Sequence, residues 1–284
     1  MNILFLGGTR YFGKKAVEKL IENGHNVTVA TRGNNVVNAA KNLIVERYDS
    51  ESMQKVFAGL HFDVIADSLA YSSNDVKIAL DNISCRRYVM TSSAAVYQRK
   101  FDLKETDFNP LDDKVIWCSR NDYPYDETKR QAEKALFQCY GGINKAAVRF
   151  PYVIGKDDYT KRMEFYVSHI VNQIPINVNN LSEQLSFVFS DDAGKFLAFM
   201  CENEYNGAVN GACSETISPA EIIGYIERRS GKRAVLDNNG ETAPYNNDKS
   251  HSINTDLAQR LGFSFSPLKE RLYALIDFYL EQIK

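Results

Sequence analysis

Over the first 150 residues, short apolar runs alternate with segments of helical period. Ile3-Leu4-Phe5-Leu6 predicts a buried strand. Ala16, Val17, Leu20 and Ile21 share one face of a helix over Lys14–Asn23 that stops at Gly24. Val27–Ala30 and Leu43–Val45 predict two more strands, and Met53, Val56, Phe57 and Leu60 stripe the helix that follows. Asp63–Ala66 is strand again, and a helix over Val76–Ile83 precedes the strand Tyr88–Met90. A helix carrying Ala132, Ala135, Leu136 and Cys139 leads into the strand Ala146–Phe150. None of these strands alternates strictly between apolar and polar, so each must be covered on both faces. The pattern predicts an α/β fold, a doubly wound parallel sheet between helices.

Beyond Pro151 the pattern loosens. Helices are predicted at Arg162–Asn172, Asp192–Glu202, Pro219–Arg229, Thr255–Leu261 and Leu268–Ile283, with short strands near Ile176–Val178 and Phe187–Phe189. Asp237–Ser250, rich in Asn, Asp and Gly, reads as an exposed loop. Residues 151–284 therefore read as a smaller, mainly substrate-binding annex, with some chain returning to the main sheet.

The first strand runs into Gly7-Gly8-Thr9-Arg10-Tyr11-Phe12-Gly13, directly ahead of a helix. Gly7 suits a tight turn, Gly13 lets the helix pack closely, and the helix N-terminus offers free N–H groups to a pyrophosphate. In a strand–loop–helix setting about 20 residues ahead of a second strand, this predicts a dinucleotide seat, with 1–150 as the binding domain. Thr9, Arg10, Tyr11 and Phe12 then lie against the dinucleotide. After the second strand come Ala30-Thr31-Arg32-Gly33, with no acid to take ribose hydroxyls, whereas Arg32 and Arg10 suit a 2′-phosphate. NADP is therefore favoured over NAD. Arg10 alternatively points to solvent.

Tyr125 and Lys129 stand at i and i+4, one face of a helix. A neighbouring ammonium favours a phenolate, drawing a phenol towards acid–base work at neutral pH. Tyr123 has no lysine at that spacing. Upstream, Thr91-Ser92-Ser93 ends a strand in hydroxyls, and open α/β sheets place their ligands at such carboxyl ends.

Composition narrows the classes. The chain has 284 residues, 44% hydrophobic and 25% charged, the balance of a soluble globule. A net charge of −2 and a pI near 6.1 give no basic field for nucleic acid or anionic lipid. The apolar runs are too short to cross a bilayer, and Met1–Leu6 lacks the basic start of a signal peptide. Five scattered cysteines without a Cys-x-x-Cys pair imply neither a disulfide framework nor a zinc site, which suits the cytoplasm. Four histidines (His25, His61, His169, His251) show no metal spacing.

The glycine loop, Ser93, Tyr125 and Lys129, in this order, resemble the extended or atypical short-chain dehydrogenase/reductases, epimerase/dehydratase-like proteins of Rossmann type. The resemblance implies hydride exchange with a nicotinamide. Tyr125 would move the hydroxyl proton, Ser93 hold the substrate oxygen, and Lys129 bind the nicotinamide ribose. Asp49 matches the family position that caps the adenine amino group, or else it N-caps the helix before Glu51; Ser50 and Ala70 are assigned to the cofactor with it. A homodimer paired through helices beside the active site is implied by analogy.

Departures from the family bear on substrate. Ala94 and Ala95 replace the dehydratases' Asp-Glu. In Arg149-Phe150-Pro151-Tyr152, Tyr152 stands where the family Asn helps hold a nucleotide diphosphate, and Leu185 stands at a second diphosphate position, an Arg. Tyr71, Tyr152 and Arg162 are the candidate substrate contacts, Arg162 either clamping an anion or solvated. Asp67 either faces the nicotinamide or caps N–H groups at its strand end, and Trp117 either lines the pocket or belongs to core or rim. Asp63–Asp67 with Ala70-Tyr71, and Gly155–Arg162, resemble a branch that includes the chloroplast stem-loop-binding proteins, which bind RNA. The leading expectation is an NADP-dependent oxidoreductase or epimerase acting on a small, sugar-like or nucleotide-linked metabolite. RNA binding and NADP sensing on the same fold are the alternatives.

Overall fold

The computed structural model describes residues 1–283. Six strands of the first half are β1 (Asn2–Leu6), β2 (Asn26–Thr31), β3 (Lys41–Ile44), β4 (His61–Asp67), β5 (Ser84–Ser93) and β6 (Asn144–Phe150). Between them run the helices α1 (Tyr11–Glu22), α2 (Ser50–Phe57), α3 (Ser73–Asn82) and α4 (Tyr125–Cys139). The second half adds β7 (Tyr152–Ile154), α5 (Arg162–Val171), β8 (Ile176–Asn177), β9 (Phe187–Phe189), α6 (Ser190–Glu202) and β10 (Gly207–Asn210). It ends with α7 (Pro219–Ser230), β11 (Glu241–Thr242), α8 (Asp256–Arg260) and α9 (Lys269–Ile283). Among these helices none is long and apolar enough to cross a membrane.

Seven strands make one parallel sheet in the order β10-β6-β5-β4-β1-β2-β3. Period-two alternation divides β1 between two cores. Ile3 and Phe5 pack with Ala16, Val17 and Leu20 of α1 and with Ala193, Phe196 and Leu197 of α6. Leu4 and Leu6 pack with Met53 of α2, Val76 of α3 and Ala132 and Leu136 of α4. Each large apolar side chain so buried contributes about 1.5–3 kcal/mol, which is why the strands read as continuous apolar runs. Gly194 lets α6 close on α1, since a Cβ there would stand 2.8 Å from the Phe12 carbonyl oxygen.

β10 and α6 lie beyond residue 150, yet they belong to the main sheet and its helical layer. β10 was not predicted as a strand, because Gly207-Ala208-Val209-Asn210 holds a single large apolar residue. The annex core gathers Tyr166 and Ile170 of α5, Ile222 and Ile226 of α7, and Leu272 and Ile276 of α9. Asp237–Ser250 is largely loop and exposed, as its composition suggests, but it is anchored to the annex. It includes β11, paired with β8, and buries Ala243 and Tyr245. Its polar side chains and carbonyls serve hydrogen bonds to the annex: Asn180 donates to the carbonyls of Tyr245 and Asp248, and the Asn246 side chain accepts from the Asn179 N–H.

Candidate active site

The carboxyl ends of β1, β2, β4 and β5 open into two adjoining cavities of about 420 and 510 Å³. They share Tyr11, Phe12, Ser68, Tyr71 and Tyr159 as walls.

The glycine loop lines the first cavity. Gly7 and Gly8 hold φ of +91° and +77°, and a Cβ on Gly8 would lie 2.6 Å from the Phe5 ring. Gly13 rests against Gly8, whose Cα would stand 3.1 Å from an added Cβ. Tyr11 opens α1 at φ +54° and is buried, which pushes its phenol far up. No side chain caps α1, and its first turn holds no acid, so the N–H groups there are available to a ligand acceptor. A backbone cradle with room only for glycine, beside an uncapped helix N-terminus, fits a dinucleotide pyrophosphate.

At the β2 corner, Thr31, Arg32, Asn34 and Asn35 line the cavity without an acid. The Arg10 guanidinium donates to the Asn35 amide oxygen at 3.2 Å once that amide is oriented oxygen-first. Thr9 and Phe12 line the same cavity. At the β3 corner the structure shows the second of the two readings of Asp49. Asp49 and Ser50 do not line either cavity: the Asp49 carboxylate N-caps α2 by accepting from the Glu51 N–H at 2.9 Å, and Ser50 Oγ accepts from Asn82. The acid facing the cavity is Glu46, followed by Arg47 and Tyr48. Arg47 is buried and held by Asp67 and the Asp75 carbonyl, while its Nε and Nη1 have no partner. Asp67 also accepts from the Tyr88 hydroxyl at 2.6 Å and the Leu69 N–H at 2.8 Å, so it anchors this corner as a fully buried carboxylate.

Ser93, Tyr125 and Lys129 meet in the second cavity. Three neighbouring hydroxyl-bearing positions at the end of β5 take different partners. The Thr91 carbonyl accepts from Lys129, Ser92 donates to Glu133, and Ser93 lies beside Tyr125. Helical spacing stacks Tyr125, Lys129 and Glu133 along α4. Lys129 is buried and donates to the Ala70 carbonyl at 2.7 Å and the Thr91 carbonyl at 2.9 Å, leaving one N–H of its ammonium free. Ala70 thus acts through its backbone, with its side chain fully buried. Burial pushes Lys129 down to about 8, against the pull of Asp67, Asp75 and Glu133. Burial likewise raises the Tyr125 hydroxyl above its ordinary value, while Ser93, Arg162 and Arg120 pull it back. Burial thus outweighs the expected acidification of Tyr125, whose ring centre lies 6.0 Å from Lys129 Nζ.

The annex supplies the far wall. Tyr71 lies 6.5 Å from Tyr125, ring to ring, with Lys129 Nζ 4.7 Å from its own centre. The Tyr152 hydroxyl donates to Asp248 at 2.8 Å, and its ring lies 4.5 Å from that of Tyr245. Arg162 donates to Thr160 Oγ1 and the Val153 carbonyl at the cavity's edge. Leu185 is fully buried in the annex core and exchanges backbone hydrogen bonds with Ile217. Arg149 turns into the protein, where it forks onto Glu133 and donates to the Tyr97 hydroxyl. Trp117 sits on the surface beneath Lys77, outside both cavities.

Several lining residues escaped the sequence reading: Glu46, Arg47, Tyr48, Arg99, Arg120 and Tyr159. The one available signal was for Arg47, a cation two residues past the predicted strand Leu43–Val45. His251, one of the four histidines without metal spacing, also faces the second cavity. Its Nδ1 donates to the Lys249 carbonyl, its Nε2 has no partner, and burial holds its pKa down.

The chain is 25% identical over 204 residues to the chloroplast stem-loop binding protein of 41 kDa b of Arabidopsis thaliana, a match covering 65% of this chain and 50% of that protein. It therefore spans about half the length of that curated relative. Among solved structures it resembles the UDP-glucose 4-epimerase of Thermotoga maritima, with a TM-score of 0.76, 18% identity and full coverage of both chains. The UDP-glucuronic acid 4-epimerase of Bacillus cereus gives a TM-score of 0.75 at 18% identity, over 100% of this chain and 97% of that one. At such identities the likeness establishes the fold. The family model described as NAD dependent epimerase/dehydratase family matches residues 3–213, and on that match the chain belongs to this family.

Proposed function

We propose that the chain is an NADP-dependent oxidoreductase or epimerase acting on a hydroxyl or carbonyl carbon of a small, sugar-like or nucleotide-linked metabolite. The observation that carries this reading is the meeting of Ser93, Tyr125 and Lys129 in a cavity that shares its walls with the glycine-loop cavity. A bound nicotinamide supplies hydride exchange at the reacting carbon. Tyr125 gives or takes the hydroxyl proton at its phenolic oxygen, Ser93 holds the substrate oxygen, and the free N–H of Lys129 binds the nicotinamide ribose. Tyr71 and the annex residues Tyr152 and Arg162 orient the substrate. The β2 corner supports NADP, because Arg10 and Arg32 line the cavity there and suit a 2′-phosphate, and β2 ends without an acid; Glu46 belongs to the β3 corner.

Ala94 and Ala95 leave no carboxylates for sugar dehydration at the end of β5, which favours the epimerase or reductase outcome. Five free cysteines fit a cytoplasmic home. RNA is not proposed as a partner: Arg10, Arg32 and Arg120 line a concave pocket and do not form a basic stripe with interleaved aromatics.

Titration of purified protein with NADP and NAD is expected to show tighter binding of NADP. Tyr125→Phe is expected to lower isotope exchange at the nicotinamide by roughly 10²–10⁴-fold while leaving dinucleotide affinity within about threefold. Turnover intact in Tyr125→Phe would overturn the catalytic assignment. Binding without exchange by the wild type, across a broad substrate panel, would turn the reading to an NADP sensor.

A further inference from the structure

Arg120 carries a feature that the proposed catalytic set leaves unused. It lies on the segment that crosses α3 and α4 just ahead of Tyr125, and its backbone is pinned on both sides. Ser73 Oγ donates to the Ile116 carbonyl at 2.8 Å and accepts from the Cys118 N–H at 2.8 Å. The Cys118 carbonyl accepts from the Asn74 N–H at 3.1 Å, and the Ser119 N–H donates to Asp122 at 2.7 Å. The Gln131 side chain accepts from the Ile116 N–H at 2.6 Å, which ties the strap to α4.

The Arg120 side chain, by contrast, is uncommitted. Arg47 is held by Asp67, Arg99 by Asp248, and Arg162 by Thr160 and Val153. Arg120 is exposed, lines the glycine-loop cavity, and makes no hydrogen bond or ion pair among the described residues. Its guanidinium sits 4.2 Å from the centre of the Tyr71 ring, and Lys129 Nζ lies 4.7 Å from the same centre. Two cations thus lie on one aromatic ring; the nearby Asp67 and Asp75 carboxylates are engaged by Arg47 and by backbone N–H groups, whereas Arg120 has no carboxylate partner. Stacking on Tyr71 removes part of the rotamer freedom that an anion would otherwise have to freeze.

We propose that Arg120 is a diphosphate clamp, a guanidinium that pairs with the bridging diphosphate of the dinucleotide in the cavity it shares with the glycine loop. This rests on the dinucleotide reading above and extends it to a residue outside the glycine loop. Arg10 and Arg32 stand at the β2 corner, while Arg120 stands beside Tyr71 and Lys129, so the two groups divide the phosphates. Arg120 grips charge common to NAD and NADP, and the β2 corner tells them apart.

The test is calorimetric titration of NAD, NADP and ADP-ribose into wild-type protein, Arg120→Gln and Arg120→Lys, at two salt concentrations. Loss of a charge-assisted contact is expected to raise Kd by about 10- to 100-fold for all three ligands in Arg120→Gln, with a smaller rise in Arg120→Lys. The NADP-to-NAD affinity ratio is expected to stay within about twofold, and the salt dependence to become shallower as one cation is removed. Unchanged affinities in Arg120→Gln, or a loss confined to NADP, would sink the proposal while leaving the cofactor reading intact. Wild-type protein that binds none of the three ligands overturns the cofactor reading, and this proposal falls with it.

Discussion

Lys129 should weaken the fold that it equips for chemistry, and replacing it by methionine exposes that penalty. Its ammonium is almost wholly buried, and burial brings its pKa down from 10.5 to about 8. At about 1.4 kcal/mol per pH unit, that displacement corresponds to about 3 kcal/mol by which the folded state disfavours the charged form. Below pH 8 both folded and unfolded chains carry the proton, so the penalty is fully present. Between pH 8 and 10.5 the unfolded chain keeps a proton that the folded chain has lost, and stability from this group rises with pH. Methionine has no such dependence, but it leaves the Ala70 and Thr91 carbonyls without their donor, at about 1 kcal/mol each. Lys129→Met is therefore expected to be about 1 kcal/mol more stable than wild type at pH 7, and less stable by about 2 kcal/mol near pH 10.5. Urea midpoints of the two proteins across that range measure the difference, from which titrations common to both cancel. A difference that does not change with pH refutes the reasoning.

Two further substitutions probe what holds the site in place. Glu133→Leu strands the Arg149 guanidinium in a fully buried position, and it is expected to cost about 3–5 kcal/mol and lower Tm by roughly 6–20 °C. Thermal melts check this, and the double variant Glu133→Leu/Arg149→Met is expected to recover most of the loss; a single variant that melts like wild type would disprove it. Gly8→Ala places a Cβ against Phe5 and Val17 at φ +77°, so a stability loss of about 1–3 kcal/mol is expected, together with weakened dinucleotide binding. Urea titration and calorimetry read the two effects, and full dinucleotide affinity in a folded Gly8→Ala protein would argue against the glycine-loop seat.

Residues that the structure gathers at the site were legible where local spacing carries them. The glycines before α1, the hydroxyl run ending β5 and the i, i+4 pair opening α4 are short-range signals, and a parallel sheet brings its strand ends to one side regardless of detail. The β3 corner was legible only in its N-cap reading of Asp49: β3 ends at Ile44, so the residues that turn into the cleft are Glu46, Arg47 and Tyr48, while Asp49 caps α2. Arg99, Arg120 and Tyr159 sit on irregular segments whose direction is set by tertiary hydrogen bonds, and no period in the sequence encodes that. Composition gave Asp237–Ser250 as loop but not its anchoring, because Asn and Asp serve carbonyls and N–H groups of the annex as readily as they face water.

α4 explains why catalysis and stability are hard to separate here. Tyr125, Lys129 and Glu133 follow one another at i, i+4 and i+8, each reaching a different part of the sheet edge. Glu133 forks onto Arg149 of β6 and accepts from Ser92 of β5, so it pins the helix to two strands at once. Ser93 is the neighbour of Ser92 and opposes Phe150, which follows Arg149, in the strand register. The buried ion pair therefore ties the helix that carries the Tyr125 phenol to the strand end that carries the Ser93 alcohol. Its stability contribution is secondary, since buried pairs are often no better than an apolar replacement. In an apolar replacement of both partners, stability should return while the Ser93–Tyr125 geometry does not. Hydride exchange that stays low in a refolded, thermally restored double variant is the signature of that division, and exchange that returns with Tm would assign the pair to stability alone.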